Sequence, residues 1–273
     1  MSDYIKKHGE VIPQDTRTSV SLRYRTVTRA VNNEFWSSAS DTAHSFYVGS
    51  YGRGTAIDTS DIDILVEIPQ SEYQRYDYYH GNGQSRLLQA VKNAILTSYP
   101  RTDIRADGQV VKVSFSDGMQ MEILPAFPKQ SYWGYSEGYT YPDTNEGGRW
   151  LSTNPKLEQD AMKAKNDSSN GLLFDTCRHI RYVRDNYFSS YHLSGIVIDS
   201  FVYSAIQFWT WTQPGSTSSA PAGDYERHLL QMYQSIFPAY TVYHTIQAPG
   251  SNQNINAISS VDCLGKVMRF IAL

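Results

Sequence analysis

The fold is decided by GSYGRGT at residues 49–55 followed by SDIDILV at residues 60–66. Side chains in a strand alternate between two faces, so we expect Asp61 and Asp63 to project from one side with their carboxylates close together. Two such carboxylates repel each other unless a divalent cation lies between them. In the turn upstream, Gly49 lets a ligand approach the backbone, and Ser50 offers a hydroxyl to a phosphate. The stretch therefore predicts a site for Mg2+ and a nucleoside triphosphate.

A third carboxylate is expected on a neighbouring strand. Glu122 lies among apolar residues in MEILPA at 121–126, where a half-buried carboxylate requires a partner. Alternating residues predict a hairpin with strands at 109–115 and 119–124. If the second of these strands lies beside the strand expected at 61–68, Glu122 completes a cage for two metal ions. The alternative is a surface glutamate on an edge strand.

These motifs resemble the signature of the polymerase-beta-like nucleotidyltransferases. Within that superfamily they most resemble the bacterial relatives of cyclic GMP-AMP synthase and oligoadenylate synthase, called CD-NTases or SMODS nucleotidyltransferases. The run EILPA at 122–126 is similar to the family's Asp-Val-Val-Pro-Ala, whose aspartate is the third catalytic acid. Glutamate stands here instead, with a longer arm.

The resemblance implies a template-independent enzyme that uses two Mg2+ or Mn2+ ions held by Asp61, Asp63 and Glu122. It would join nucleoside triphosphates, ATP alone or ATP with another, into a cyclic di- or trinucleotide for anti-phage defence, and release pyrophosphate. An effector protein would respond to the product, and some relatives need an activating partner. Two alternatives stay open: transfer of a nucleotide to a small molecule, an RNA end or a protein, and a non-catalytic nucleotide sensor.

Cationic side chains for the triphosphate are expected on a helix at 172–187. Arg178, Arg181 and Arg184 recur there every three residues, hence roughly on one face. The family has a lysine at the position aligned with Arg181, and a serine at a position that falls on Gly195, next to Ser194. The alternative is a solvated helix face paired with nearby aspartates. For Arg53 and Thr55, contact with phosphate and a role in shaping the turn are equally open.

Aromatic side chains are the candidates for stacking on the bases. The chain has 21 tyrosines, most of which are expected to fill ordinary cores and surfaces. The candidates are Tyr51, Tyr132, Trp133, Tyr135 and Tyr203. The sequence does not indicate which bases they would hold.

The order of elements predicts an α+β fold with two lobes. Apolar spacing predicts a long helix at 16–38, a strand at 44–48, a loop at 70–84, a helix at 85–98 and a Gly/Pro/Tyr-rich connection at 125–155. Helices follow at 157–164, 172–187, 197–211 and 225–236. The resemblance implies a catalytic lobe at 1–150, begun by the long N-terminal spine helix, and a helical lobe at 151–273 that closes over the nucleotide.

Composition argues against several classes of protein. A net charge of −3 provides no global basic field, so no stable nucleic-acid partner is expected. Cys177 and Cys263 lie far apart, and the seven histidines lack the spacing of a zinc site, so both thiols are expected to be buried and free. No stretch approaches the roughly 20 apolar residues of a membrane span, and the N-terminus lacks a signal-peptide core. We therefore expect a cytoplasmic protein.

Overall fold

A computed structural model describes residues 4–8, 11–79, 81–130, 133–134, 136–213, 215–216, 220–240 and 243–273. The chain divides into two compact units. The first, called the sheet unit, comprises residues 12–52 and 58–155; the second, called the helical unit, comprises 1–11, 53–57 and 156–273. The assignment of a catalytic role to 1–150 and a closing role to 151–273 stays a prediction.

The sheet unit is a mixed sheet whose three longer helices pack on one side. Its helices are α1 (Gln14–Phe35), α2 (Gly49–Gly52), α3 (Gln70–Asp77) and α4 (Gly83–Ser98). Its strands are β1 (Ser45–Tyr47), β2 (Ile62–Glu67), β3 (Asp103–Asp107), β4 (Val110–Ser114), β5 (Gln120–Gln130), β6 (Ser136–Asp143) and β7 (Arg149–Thr153). The strand order is β1-β2-β5-β4-β3, and β6 pairs with β5 and β7. The predicted α+β fold is confirmed.

One face of this sheet is apolar because alternate residues of each strand point into the same core. Ile62 and Ile64 of β2 and Met121 and Ile123 of β5 are at most 2% exposed there. They pack against the apolar stripes of α1 and α4. Burial of each such side chain stabilises the unit by about 1.5–3 kcal/mol. The residues between them, Asp63 and Glu122 included, are left for the opposite face.

The helical unit has its own core. It contains α5 (Pro155–Ser168), α6 (Leu172–Tyr187), α7 (Gly195–Ala205), α8 (Asp224–Ile236), α9 (Ile258–Ile271) and the hairpin β8 (Thr245–Gln247) to β9 (Asn254–Asn256). Apolar residues of α6, α7 and α9 form one buried cluster. Cys177 and Cys263 are free and buried in it, as predicted. Within the described residues, no helix is both long and apolar enough to cross a membrane.

The predicted loop at 70–84 is wrong, because residues 70–77 form α3. Pro69 precedes the helix with the φ of −54° that its ring imposes. Tyr73 and Tyr76 then lie three residues apart on the side that faces the core: Tyr76 is 4% exposed, and the Tyr73 ring packs edge-on against Phe127. Burial of these rings outweighs the polar composition of the segment.

The predicted connection at 125–155 is also wrong, since β5 continues to Gln130 and β6 and β7 follow. Aromatic residues favour strands, and Tyr139, 3% exposed, packs on the face of the sheet that carries the acids. Trp150 on β7 donates from Nε1 to Asp77 at 2.8 Å, which ties β7 to the end of α3. The strand β3, the hairpin β8–β9 and the helix α9 were not predicted.

Candidate functional site

The parallel pairing of β2 with β5 brings two acids together. In its register Asp63 lies directly opposite Glu122, and both side chains are half-buried. Adjacent strands lie about 5 Å apart, so two carboxylates at the same level on one face are close enough to repel each other. The strand predicted to carry Glu122 is therefore a central strand beside β2, and the edge-strand alternative is wrong.

Gly49 lies against the carboxylate of Asp63. A Cβ on Gly49 would stand 1.8 Å from Oδ2 of Asp63, and its φ of +58° is one that glycine adopts without strain. The backbone N–H of Val48 donates to the carbonyl oxygen of Asp63 at 2.8 Å, which fixes the turn to the strand. Residues 49–52, including the half-buried Ser50, form the single helical turn α2. Any side chain at residue 49 would displace Asp63.

A cavity of about 200 Å³ opens beside these residues, and Gly49, Asp63 and Glu122 line it. Since water occupies about 30 Å³ per molecule, this open cavity has room for a cation and several water molecules. Asp61 is exposed and immediately precedes β2, outside that lining. Among the described residues, no three His, Cys, Asp or Glu side chains have the spacing of a metal site. The cage of three carboxylates therefore stays a prediction, and two of its members, Asp63 and Glu122, lie opposite each other.

A lysine on the next strand contacts the second acid of the pair. Lys112 on β4 lies opposite Glu122 in the antiparallel register, and its Nζ is 3.3 Å from Oε1 of Glu122. The same nitrogen is 3.6 Å from Oδ2 of Asp107. The Glu122 carboxylate is the main cause that raises the pKa of Lys112. Sequence reasoning missed this lysine, although its place in the predicted hairpin was a usable signal.

The residues present fit a divalent cation in their chemistry. Carboxylate oxygens are the ligands that Mg2+ and Mn2+ prefer, and Asp63 and Glu122 present theirs on one face beside a glycine that leaves the space open. Asp61, exposed one residue before β2, adds a third carboxylate close by in the chain.

Four of the predicted phosphate-binding side chains have partners inside the helical unit. Arg53 donates to Asp199 at 2.8 Å and to Glu158 at 3.1 Å, and the Thr55 hydroxyl donates to Asp199 at 3.0 Å. Arg181, which is 1% exposed, binds both carboxylate oxygens of Asp199 at 2.7 and 2.9 Å. For Arg53 and Thr55 these contacts support the role of shaping the turn.

Arg178 donates to the carbonyl oxygens of His8 at 3.1 Å and Gly54 at 2.9 Å. A solvated helix face does not describe Arg181, because it is buried. A phosphate contact would require Arg181 to leave the carboxylate of Asp199. The phosphate-binding role of Arg178 and Arg181 stays a prediction that these contacts do not favour.

Arg181 and Gly195 contact each other. They occupy the two positions where the resemblance implied a lysine and a serine. The Arg181 guanidinium donates from Nη2 to the carbonyl oxygen of Gly195 at 3.1 Å, and a Cβ on Gly195 would stand 3.1 Å from the same nitrogen. Glycine at 195 therefore makes room for arginine at 181. Ser194 precedes α7, and its backbone N–H donates to Oγ of Ser260 at 3.1 Å. Its contact with phosphate stays a prediction.

The aromatic candidates are dispersed. The Tyr51 ring lies 6.0 Å from that of Tyr47 in the sheet unit, and Tyr203 packs against the core of the helical unit. Trp133 is 79% exposed. Tyr132 and Tyr135 lie outside the described residues. Base stacking by Tyr51, Trp133 and Tyr203 stays a prediction.

Sequence reasoning missed Asp199 and Glu158, which bind the arginines. Asp199 stands alone in the apolar run IVIDSFV at 196–202, the same signal that pointed to Glu122. It is 0% exposed and completely paired with Arg53 and Arg181. An isolated acid in an apolar run thus indicates a required partner, which here is an arginine within the core.

Known structures share this fold over nearly the whole chain. The cyclic dinucleotide synthase CdnE of Elizabethkingia meningoseptica, solved with GTP and Apcpp, is 14% identical with a TM-score of 0.62 over 96% of this chain and 91% of that one. The di-nucleotide cyclase DncV of Vibrio cholerae is 11% identical, with a TM-score of 0.65 over 96% and 85%. The CD-NTase CdnG of Bradyrhizobium diazoefficiens, in complex with GTP, is 14% identical, with a TM-score of 0.59 over 95% and 84%.

A family of sequences also matches. Residues 3–166 match the Second Messenger Oligonucleotide or Dinucleotide Synthetase domain, called SMODS. The matched part includes Gly49, Asp61, Asp63 and Glu122. No curated protein matches the chain.

We predict that Gly49→Ala damages the sheet unit more than a positive φ alone explains. The matched control is Gly118→Ala, since Gly118 has a φ of +88° and open space where its Cβ would lie. Strain at φ should cost each variant about 1–2 kcal/mol, but overlap with Asp63 should add roughly 1–3 kcal/mol in Gly49→Ala only. Thermal unfolding measures both variants. Equal losses of Tm would contradict the close approach of Gly49 to Asp63.

We predict that Asp199→Asn destabilises the helical unit by about 3–5 kcal/mol, because the buried Arg181 loses the carboxylate that it binds and Arg53 keeps only Glu158. The control is Asp167→Asn, which removes an exposed carboxylate that pairs with Lys163, and should cost at most about 1 kcal/mol. Urea unfolding compares the two. A loss in Asp199→Asn no larger than in the control would show that the buried pairs contribute little.

The contacts of Asp199 with the two arginines also predict that stability depends on pH. Burial by itself would raise the pKa of Asp199, but Arg181 and Arg53 outweigh burial and lower it from 3.8 to about 2. A carboxyl whose pKa is lowered by folding stabilises the protein above its unfolded pKa of about 3.9, and this contribution disappears as pH falls towards about 2. The stability difference between the wild type and Asp199→Asn should therefore shrink on acidification through that range. A difference that widens there would refute the lowered pKa.

Proposed function

We propose, since the chain belongs to the family of Second Messenger Oligonucleotide or Dinucleotide Synthetase domains, that it joins nucleoside triphosphates into a cyclic di- or trinucleotide. The chain is a nucleotidyltransferase of that family. Its substrates and its product are the parts proposed here. Two of the structurally similar proteins carry GTP in their structures, which supports nucleoside triphosphates as the substrates.

One observation carries the proposal: Asp63 and Glu122 lie opposite each other on adjoining strands, beside a glycine that leaves their face open. A fold gains nothing from placing two carboxylates side by side, because they repel each other. The arrangement is explained if the two carboxylates bind cations when the protein is active. Asp61, Asp63 and Glu122 are the proposed ligands, and two Mg2+ or Mn2+ ions are the proposed cofactor.

Divalent cations bound there would lower the pKa of an attacking hydroxyl and neutralise the leaving pyrophosphate. Glu122 would accept the proton of the acceptor hydroxyl as that oxygen bonds to the α-phosphorus. The bond from the α-phosphorus to its bridging oxygen breaks, and pyrophosphate leaves with the electron pair. A last transfer within the linear product closes the ring, so that one pyrophosphate has been released for each nucleotide in the ring.

Gly49 and Ser50 would bind phosphate oxygens at the turn that precedes Asp61. Four other candidates would support the phosphate site without contacting phosphate, because their side chains bind carboxylates and carbonyl groups of the helical unit. They are Arg53, Thr55, Arg178 and Arg181. The proposal has further parts. ATP is a substrate, and the product is an anti-phage signal that an effector protein binds. The protein is cytoplasmic and has an activating partner. These parts rest on the family resemblance.

The product decides between this function and its alternatives. The protein is incubated with Mg2+ or Mn2+ and mixtures of labelled nucleoside triphosphates, and the products are treated with phosphatase. Label that resists phosphatase means that every phosphate lies in a diester, as in a ring. Label that is found only on tRNA, a small acceptor or a protein would overturn cyclisation, and binding of nucleotides without turnover would indicate a sensor.

We predict that Asp61→Asn combined with Asp63→Asn reduces product below detection while Tm is maintained or raised, because the double variant removes proposed ligands and mutual repulsion together. Asp103→Asn is the control, since Asp103 is an exposed carboxylate on β3 of the same sheet. It should leave the rate of product formation unchanged. Product from the double variant at the wild-type rate would refute the assignment of these carboxylates.

A further inference from the structure

Three charged residues form a row across the sheet. The register of β2 with β5 places Asp63 opposite Glu122, and the register of β5 with β4 places Glu122 opposite Lys112. The row therefore reads acid, acid, base along neighbouring strands. Lys112 Nζ lies 3.3 Å from Oε1 of Glu122, and the two side chains are 45% and 33% exposed.

The lysine also has a second partner outside the row. Its Nζ lies 3.6 Å from Oδ2 of Asp107, a side chain that is 70% exposed at the end of β3. The ammonium group thus stands between a carboxylate in the site and one in solvent. If Glu122 turned away from it, Lys112 would keep Asp107 as its counter-ion.

We propose that Lys112 is a positioning residue that competes with divalent cations for the carboxylate of Glu122; this inference rests on the proposed function. In the resting site the ammonium group holds Glu122 and offsets its charge beside Asp63. When a cation binds, Glu122 exchanges the ammonium for the metal, and Lys112 pairs with Asp107.

The arm length of residue 122 is consistent with this exchange. Glutamate has one more methylene than aspartate, so its carboxylate reaches farther along the sheet. The longer arm supplies the reach towards β4 as well as towards β2. Lysine at 112 and glutamate at 122 would then be a matched pair.

The test is Mn2+ binding to the whole protein without nucleotide, followed by the electron paramagnetic resonance signal of free Mn2+ and by calorimetry. Lys112→Met should bind Mn2+ roughly two- to fivefold more tightly than the wild type, the factor that corresponds to a surface ion pair. Lys112→Arg should restore the wild-type affinity. A merely structural role for Lys112 would weaken binding on its loss and would not tighten it.

Two controls separate local competition from net charge. Lys163→Met removes the same charge from an exposed ion pair in the helical unit and should leave Mn2+ affinity unchanged. In a Glu122→Asp background the shorter arm should abolish most of the effect of Lys112→Met, a coupling that a double-mutant cycle measures.

The outcomes distinguish this inference from the proposed function. Equal Mn2+ affinities for the wild type and Lys112→Met would overturn the competition while leaving the carboxylates as metal ligands. Equal tightening in Lys163→Met would also overturn it, since a long-range charge effect would then suffice. Failure of both the wild type and Lys112→Met to bind Mn2+ would overturn the metal assignment and the competition with it.

Discussion

The parallel pairing of β2 with β5 is the interaction on which the site depends. Because a strand has a period of two, the register that buries Ile62, Ile64, Met121 and Ile123 also places the acids between them on the opposite face. A slip of one residue would bury carboxylates and expose apolar side chains. The hydrophobic core therefore holds the acids in register, and no direct attraction between Asp63 and Glu122 is needed.

Local patterns in the sequence were enough to predict the central part of the sheet unit. The hairpin that carries Glu122, the helix at 85–98 and the strand at 61–68 all show alternation or helical spacing, and the structure contains each of them. The predictions failed in segments whose composition does not indicate how they pack. In α3 and β6, tyrosines supply the buried surface within stretches that are otherwise polar or rich in glycine.

The arginines show a different limit of sequence reasoning. Their spacing on α6 predicted a shared face, but spacing does not tell which carboxylate an arginine will meet. Asp199 is 18 residues from Arg181 and 146 from Arg53, so the partners meet only through the tertiary fold. The resemblance pointed to phosphate for Arg181, whereas the structure supplies a buried aspartate and a glycine that accommodates the larger side chain.

Two groups of charges in this chain obey opposite rules. Around Asp199 the protein itself supplies the counter-charges in the core: Arg53 and Arg181 pair with Asp199, and Arg53 also pairs with Glu158, so two arginines meet two carboxylates. In the row of Asp63, Glu122 and Lys112, acids outnumber bases, and the last two side chains are partly exposed. A cluster that its own residues neutralise contributes to the fold, but a cluster with an excess of one sign has a capacity for an added ion. The excess of carboxylate in the row, rather than acidity alone, is therefore the observation that supports the proposed cation site on this face of the sheet.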